Sequence, residues 1–241
     1  MKKQYFITID TETTQDHKVA DFAAVISDRR GRIVTQCAVL VNGIFTDSEN
    51  HPLFFDSKLP ADAAFSRKSA DRRYKKYQAM VNAGSRQIAS VNAINRWLEK
   101  AAAQYDPVLT AYNLSFDTDK CLKTEIDLTV FSQSFCLWQA AWSIYAKKKA
   151  FRQMVLDTHA FNDVTPHGNM TFKTNAETMA RFVLGNPELP DEPHTALEDI
   201  IFYELPILNR MVKNYKTQDI IDRAESYEWR KAQVKDWFKP A

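Results

Sequence analysis

Two acidic residues stand at the end of a short apolar segment near the N-terminus. Asp10 and Glu12 follow the apolar and β-branched residues 5–9 and are separated by a single threonine. If this segment forms a strand, the two-residue period of β-structure places both carboxylates on one face as the chain leaves the sheet. Paired carboxylates there can hold a hard divalent cation, although the D-x-E pattern is also common among solvated acids.

A third acid lies where a strand is expected to give way to a helix. Asp117 ends the sequence Y-N-L-S-F-D of residues 112–117, in the first turn of a helix that we expect to be capped by Asn113. A carboxylate at this junction can join a cation site at the end of the neighbouring strand, or it can merely complement the helix dipole. Asp119 is a rival, which we interpret as a solvated acid of the first turn.

The segment H-T-A-L-E-D at residues 194–199 combines a histidine with two acids at a helix start. Thr195 and Glu198 have the spacing of a capping box, which predicts that Glu198 serves the backbone N–H of Thr195. His194 then precedes the cap and Asp199 takes the fourth helical position, where their side chains should converge. The pattern favours His194 and Asp199 as functional residues; the alternative is a capped helix with a surface histidine.

Taken in order, these segments resemble the three exonuclease motifs of the DEDDh superfamily, which includes ribonuclease T and the proofreading subunits of bacterial DNA polymerases. The matching sequences are D-T-E-T-T at 10–14, N-L-S-F-D at 113–117 and H-T-A-L-E-D at 194–199. Three motifs in register are far more specific than any one of them. The resemblance implies an α/β, ribonuclease H-like fold with a five-stranded mixed β-sheet flanked by α-helices, and 3′→5′ hydrolysis that releases nucleoside 5′-monophosphates.

The resemblance also implies a set of roles. Two Mg²⁺ or Mn²⁺ ions would be held by the four matching carboxylates, Asp10, Glu12, Asp117 and Asp199. Oxygen ligands favour these ions over zinc. His194 would be the general base for the attacking water, since imidazole titrates near neutral pH. Thr13 and Asn113 are candidates for substrate contact, at the terminal 3′-hydroxyl and a phosphate, but each can equally be a turn or cap residue.

The elements that must position these residues follow from composition and periodicity. Five segments have the pattern of strands, and they are 5–10, 19–27, 33–41, 108–112 and 154–156. Helical spacing is found near 88–101, from 113 onward, at 134–146 and 174–184, and after 194. The alternation predicts a mixed sheet covered by helices, with an exonuclease domain at 1–213 and a helical tail at 214–241.

Two segments fall outside this scheme. Residues 44–84 form an insertion with a basic stretch at 67–76, which together with Tyr74 and Tyr77 predicts binding of a single strand by charge and stacking. A solvated helix face explains the same residues. The aromatic residues Tyr227, Trp229, Trp237 and Phe238 lie in the last part of the tail. They make the tail a candidate for a protein partner or for self-association, or they pack on the enzyme itself.

The bulk composition narrows the class of protein. The chain of 241 residues has a formal net charge of only +2 and three cysteines without C-x-x-C spacing. Neither a broadly basic surface nor a disulfide framework is therefore indicated. Because a signal-peptide pattern and a membrane-length apolar run are both missing, we expect a cytoplasmic protein without membrane contact.

The sequence favours an exonuclease acting on a single-stranded 3′ end, with DNA preferred. Three other interpretations remain open: an exoribonuclease that trims RNA 3′ ends, a catalytically silent nucleic-acid-binding module, and a polymerase accessory subunit that docks through the tail. The retention of all four acids and His194 argues against a silent module.

Overall fold

The computed structural model describes residues 3–52, 64–162 and 171–226, with the backbone alone described for 64–71. The described chain forms an α/β structure with one six-stranded mixed sheet. Its strands are β1 (Tyr5–Thr13), β2 (Val19–Asp28), β3 (Ile33–Val41), β4 (Gln87–Ala89), β5 (Val108–Ala111) and β6 (Ser134–Cys136). Their spatial order is β4-β3-β2-β1-β5-β6.

The sheet mixes an antiparallel centre with parallel edges. β1, β2 and β3 pair antiparallel in sequence order, as predicted from their composition and the turn at residues 28–31. β5 pairs parallel with β1, β6 parallel with β5, and β4 parallel with β3. β1 therefore lies between two partners over residues 6–8, and its C-terminal end continues past β5, paired with β2 alone.

Helices cover both faces of the sheet. Those in the described residues are α1 (Ala64–Asn82), α2 (Val91–Tyr105), α3 (Leu114–Lys123), α4 (Leu137–Ala141), α5 (Lys149–Asp157), α6 (Ala176–Leu184), α7 (Ala196–Asp199), α8 (Leu205–Asn214) and α9 (Thr217–Glu225). A π-helical turn, Trp142–Ala146, follows α4, and a second, Ile200–Glu204, joins α7 to α8. Among these helices, none is long and apolar enough to span a membrane.

Two hydrophobic clusters, one on each face, fix the sheet between the helical layers. Phe6 belongs to the cluster built around Trp142, whereas Ile7 and Ile9 belong to the cluster that includes Leu98 of α2. This alternation is the strand period of two, and it leaves β1 buried on both faces. The strand is thus a rigid support for the acids at its end.

The predicted strand at 154–156 is wrong, and two short strands were not foreseen. Residues 154–156 lie in α5, where Phe151 and Val155, four residues apart, are both fully buried on one helical face. A short apolar run does not by itself distinguish a strand from a buried helix. β4 and β6 have three residues each, too few to show alternation, so the sheet has six strands and not five. The helices predicted near 88 and 134 begin after these strands, at Val91 and Leu137.

The first part of the predicted tail packs on the body of the protein. Ile220 and Ala224 of α9 are buried in the same cluster as Trp142. The Arg29 guanidinium donates to the Thr217 hydroxyl at 2.9 Å, which ties the start of α9 to the turn after β2. Tyr227, Trp229, Trp237 and Phe238 lie outside the described residues.

Candidate active site

A cleft of about 270 Å³ opens beside the C-terminal end of β1. Five carboxylates line it, and they belong to Asp10, Glu12, Glu192, Asp199 and Glu204. His194 and Thr13, both singled out in the sequence, line it as well. We refer to this space as the acidic cleft. Its lining joins residues from β1, from the loop before α7 and from the α7–α8 helix.

The two-residue period of β1 places the first pair of acids in the cleft. Asp10 and Glu12 occupy alternate positions of β1, and the pairing of β1 with β2 shifts register between Glu12 and Thr13. A bulge of this kind ends regular pairing and re-aims side chains, which is common beside active sites. Glu12 Oε1 lies 3.9 Å from His194 Nδ1.

Asp117 reaches the same region from the first turn of α3. Its side chain is buried, and Oδ1 accepts a 2.8 Å hydrogen bond from the Thr11 hydroxyl, on the residue between the two β1 acids. Asp119, by contrast, has a half-exposed side chain and pairs with Lys120 at 2.8 Å and Lys123 at 2.9 Å. Those hydrogen bonds lower the pKa of Asp119 to about 2. The side chain of Asp119 is solvated as predicted, but the residue lies in the second turn of α3 and not in the first.

Asn113 does not play the capping role that the sequence predicted. It precedes α3 with a left-handed backbone, φ +79°, and its side chain makes no cap hydrogen bond; Oδ1 accepts from the Ser115 hydroxyl at 3.2 Å. Asn113 instead lines a neighbouring cavity of about 460 Å³, the side cavity, together with Tyr112, Trp138, Asn162, Lys173, Thr174 and Asn175. Tyr112 and Asn175 line the acidic cleft too, so the two spaces adjoin.

The predicted capping box at α7 is wrong. Thr195 is the N-cap, but its backbone N–H donates to Asp199 Oδ2 at 3.1 Å, and Glu198 forms an ion pair with Arg86 instead. Arg86 is 2% exposed, and its buried guanidinium is a stronger partner for a carboxylate than a neutral N–H. Asp199 is thereby oriented by the start of its own helix. Its other oxygen, Oδ1, is buried without a partner among the described residues.

A buried acid that the sequence analysis missed anchors this helix to the sheet. Asp21 of β2 accepts hydrogen bonds from the Tyr77 hydroxyl at 2.7 Å and from the backbone N–H of Ala196 at 3.0 Å. Arg86 Nε lies 3.8 Å from its other oxygen. The available signal was a single acid inside the otherwise apolar sequence V-A-D-F-A-A-V-I. Asp21 thus positions the helix that carries Asp199.

The surroundings of the acids in the cleft disfavour their ionised forms and raise their pKa values. Burial, followed by the charges of neighbouring carboxylates, raises the pKa of Asp199 to about 9 and that of Glu192 to about 8. Burial also raises the pKa of Glu12 to about 7, against the opposing effect of Arg73. Negative charge in this region therefore exceeds what the described cationic side chains balance.

The donor set fits a divalent cation. Ligand atoms of Glu12, His194 and Asp199 lie within 4.8 Å of one another. Carboxylate oxygens are the ligands that Mg²⁺ and Mn²⁺ prefer, and the unpartnered Oδ1 of Asp199 is available to one. Asp10 shares the cleft, and Asp117 lies directly behind Thr11, so all four acids predicted to hold ions are in one region.

Basic residues of the insertion approach the cleft along α1. Arg73 Nη1 lies 3.7 Å from Glu12 Oε2, and Lys76 Nζ donates to the carbonyl of Pro193 at 3.2 Å, next to His194. Partial burial and these two cations lower the pKa of His194. Its imidazole is therefore neutral at pH 7, as a general base must be.

The prediction that Tyr74 and Tyr77 stack on bases is not supported for Tyr77. Tyr77 is fully buried and donates to Asp21. Tyr74 stacks on Phe45 with ring centroids 5.4 Å apart. The side chains of Arg67 and Lys68 lie outside the described residues. α1 is therefore attached to the body by its tyrosines and presents charge, not aromatic rings, to the cleft.

No protein-family model, curated protein or solved structure matches the chain. A function must therefore be inferred from the chemistry of the acidic cleft and its surroundings.

Proposed function

We propose that the protein is a metal-dependent 3′→5′ exonuclease that hydrolyses phosphodiester bonds at nucleic-acid 3′ ends, preferentially in DNA, and releases nucleoside 5′-monophosphates. The observation that carries the proposal is the meeting of Asp10, Glu12 and Asp199 with His194 in one cleft, with Asp117 beside it. Three segments that are distant in the sequence supply these residues. A set of unrelated surface acids would have no reason to converge in this way.

A ribonuclease H-like fold is part of the same proposal. Five strands, in the order β3-β2-β1-β5-β6, make a mixed sheet of the expected size, and β4 is a three-residue addition at the edge beyond β3. β4 follows shortly after the insertion at 44–84, so we attribute the sixth strand to the chain's return from that insertion. The remaining sheet supports the fold implied by the sequence motifs.

Different residues of the cleft would have different roles in hydrolysis. Asp10, Glu12, Asp117 and Asp199 would hold the cations, which when bound supply an activated water and charge stabilisation at the phosphate. His194 lies on the loop before α7 with its side chain half exposed, so it can accept a proton from the attacking water and pass it to solvent. Thr13, beside the register shift between β1 and β2, would contact the terminal nucleotide.

The side cavity suits the next part of a nucleic-acid strand. Lys173 offers a positive charge for a phosphate, Trp138 offers a half-buried ring for a base, and Asn113 offers an amide. Stacking and phosphate contacts of this type bind single strands with little sequence preference. Because the side cavity adjoins the acidic cleft at Tyr112, a strand can occupy both spaces with its 3′ end at the acids.

The test is an assay with 5′-labelled single-stranded DNA, duplex DNA and RNA, with Mg²⁺ and with EDTA. We expect products shortened stepwise from the 3′ end, released mononucleotides, and no cleavage in EDTA. Asp117→Asn should abolish turnover, whereas Asp119→Asn, on the exposed face of the same helix, should not. Internal cleavage, cleavage in EDTA, or equal activity of the two variants would contradict the proposal. The RNA arm decides between DNA and RNA as the preferred substrate.

A further inference from the structure

Glu204 is a buried carboxylate of the acidic cleft that none of the three sequence motifs contains. From its burial, its unpartnered oxygen and its place on the α7–α8 helix, we infer that Glu204 is a fifth carboxylate of the cation site, acting beside Asp10. The inference rests on the proposed function, because it adds a residue to the same site.

The side chain of Glu204 is buried with only one of its oxygens in use. The residue is 3% exposed and lines the acidic cleft. Oε1 accepts a 3.3 Å hydrogen bond from the backbone N–H of Tyr112, at the end of β5. Among the described residues, Oε2 has no hydrogen-bond partner and no ion pair includes Glu204. A buried carboxylate in this condition is costly unless a cation completes its surroundings.

Its position on the helix brings Glu204 to the same side as Asp199. Residues five apart on a regular α-helix point about 140° away from each other, since each turn contains 3.6 residues. Here the intervening turn is π-helical, and the N–H of Leu205 donates to the carbonyl of Ile200, five residues earlier. The wider turn brings Asp199 and Glu204 toward the same side of the helix, and both line the cleft.

A proline in the sequence favours this turn. Pro206, at the start of α8, has no N–H to donate to the carbonyl of Phe202, and its ring opposes a regular α-helical turn before it. Such single π-turns inside α-helices occur frequently at functional sites. Here the π-turn brings Glu204, a second acid of the same helix as Asp199, into the cleft.

The neighbours of Glu204 are the acids that are expected to bind ions. Of the charges around Asp10, that of Glu204 acts on it most strongly, followed by that of Asp117. A cation next to Asp10 would therefore also be attracted by Glu204. A purely structural role, in which Glu204 only holds the Tyr112 N–H, would require one neutral acceptor oxygen and no charge.

The variant Glu204→Gln separates these roles, because glutamine keeps the shape and the acceptor for Tyr112 but removes the charge. We expect metal-free Glu204→Gln to fold and to bind Mn²⁺ at least about tenfold more weakly than the parent, measured by electron paramagnetic resonance of free Mn²⁺. Its melting temperature without metal should equal or exceed that of the parent. The matched control is Glu99→Gln, an exposed acid of α2, which should bind Mn²⁺ as the parent does.

The outcomes distinguish this inference from the proposed function. If the parent itself fails to bind Mn²⁺, the proposed function fails. If the parent binds Mn²⁺ and Glu204→Gln binds it equally well, Glu204 is only structural, and the proposed function stands without it. Should Glu204→Gln not fold, Glu204→Asp keeps the charge but shortens its reach; weaker Mn²⁺ binding supports the inference, and unchanged binding overturns it.

Discussion

At the level of single residues, the position of His194 relative to the acids decides which chemistry it can perform. The residue lies before the Thr195 cap with a left-handed backbone, φ +52°, and about half of its side chain is exposed. Its Nδ1 is 3.9 Å from Glu12 Oε1, close enough for an imidazole either to receive a proton beside the cations or to bind one of them. The proposed function assigns it the first role.

Replacing His194 with alanine should therefore separate catalysis from metal binding. We expect Mn²⁺ affinity to stay at the value of the parent while turnover falls by about two to four orders of magnitude, the usual contribution of a general base. The acidic limb of the pH–rate profile should disappear as well. In the parent that limb should lie below the ordinary pKa of histidine, about 6.5, because burial and Arg73 lower the pKa of His194.

The exposed His159 provides the control for this variant, and His159→Ala should retain parental turnover and pH profile. The measurements are steady-state kinetics from pH 5 to pH 9 and Mn²⁺ titration of each variant. A loss of Mn²⁺ affinity as large as that caused by Asp10→Asn would identify His194 as a metal ligand. The mechanism would then need another base.

Among the elements, α1 connects the insertion to the cleft. Its basic residues form two groups, one directed toward the cleft and one exposed to solvent. Arg73 and Lys76 point toward Glu12 and the loop at Pro193, whereas Arg72 and Lys75 are exposed. We expect the double variant Arg73→Gln/Lys76→Gln to bind single-stranded DNA more weakly. The slope of log affinity against log salt should fall by about one for each phosphate that these two side chains neutralise in the parent. The matched control Arg72→Gln/Lys75→Gln should change both quantities less.

Binding by fluorescence anisotropy over a series of salt concentrations measures both quantities, and a catalytically inactive Asp117→Asn background prevents degradation of the probe. If the two double variants have equal affinities and slopes, α1 contributes only general charge. If neither differs from the parent, the strand does not pass this helix.

The elements also show which inferences a sequence can support. The strands β1 to β3 and helix α6, closed by Gly185 in a left-handed conformation, follow from local periodicity and were predicted with nearly correct bounds. The capping box failed because Glu198 finds Arg86, a residue remote in the sequence whose burial could not be inferred from its neighbours. Glu204 was overlooked because helical spacing puts it on a different face from Asp199 unless the effect of Pro206 is taken into account.

In the whole molecule, charge is distributed far less evenly than the net value of +2 suggests. Several acids meet around the end of β1, while Arg73 and Lys76 of α1 act on Glu12 and Arg181 acts on Glu192. Mutual repulsion of buried carboxylates destabilises a folded protein wherever they are ionised. A bound cation removes that repulsion, so folding, protonation and metal binding should be linked.

This linkage gives a prediction for stability against pH. Folding raises the pKa of Glu12 and Asp117 to about 7 and that of Asp199 to about 9. Between the unfolded pKa values, about 4, and these folded values, the native state holds protons that the unfolded state has released. The stability of the metal-free protein should therefore decrease as the pH rises from about 5 to 9, and its melting temperature should fall with it.

Divalent cations should act in the opposite direction, because they bind the native state and compete with those protons. The increase in melting temperature caused by Mn²⁺ should be small at pH 5, where the acids are protonated, and large at pH 8. Asp199→Asn should both flatten the pH dependence of the metal-free protein and reduce the effect of Mn²⁺, whereas Asp119→Asn, which changes an acid outside the cleft, should do neither. Differential scanning fluorimetry in EDTA and in Mn²⁺ measures each effect. A melting temperature of the metal-free protein that rises from pH 5 to pH 9, or an Mn²⁺ effect independent of pH, would mean that the acids of the cleft are not the groups that link metal binding to stability.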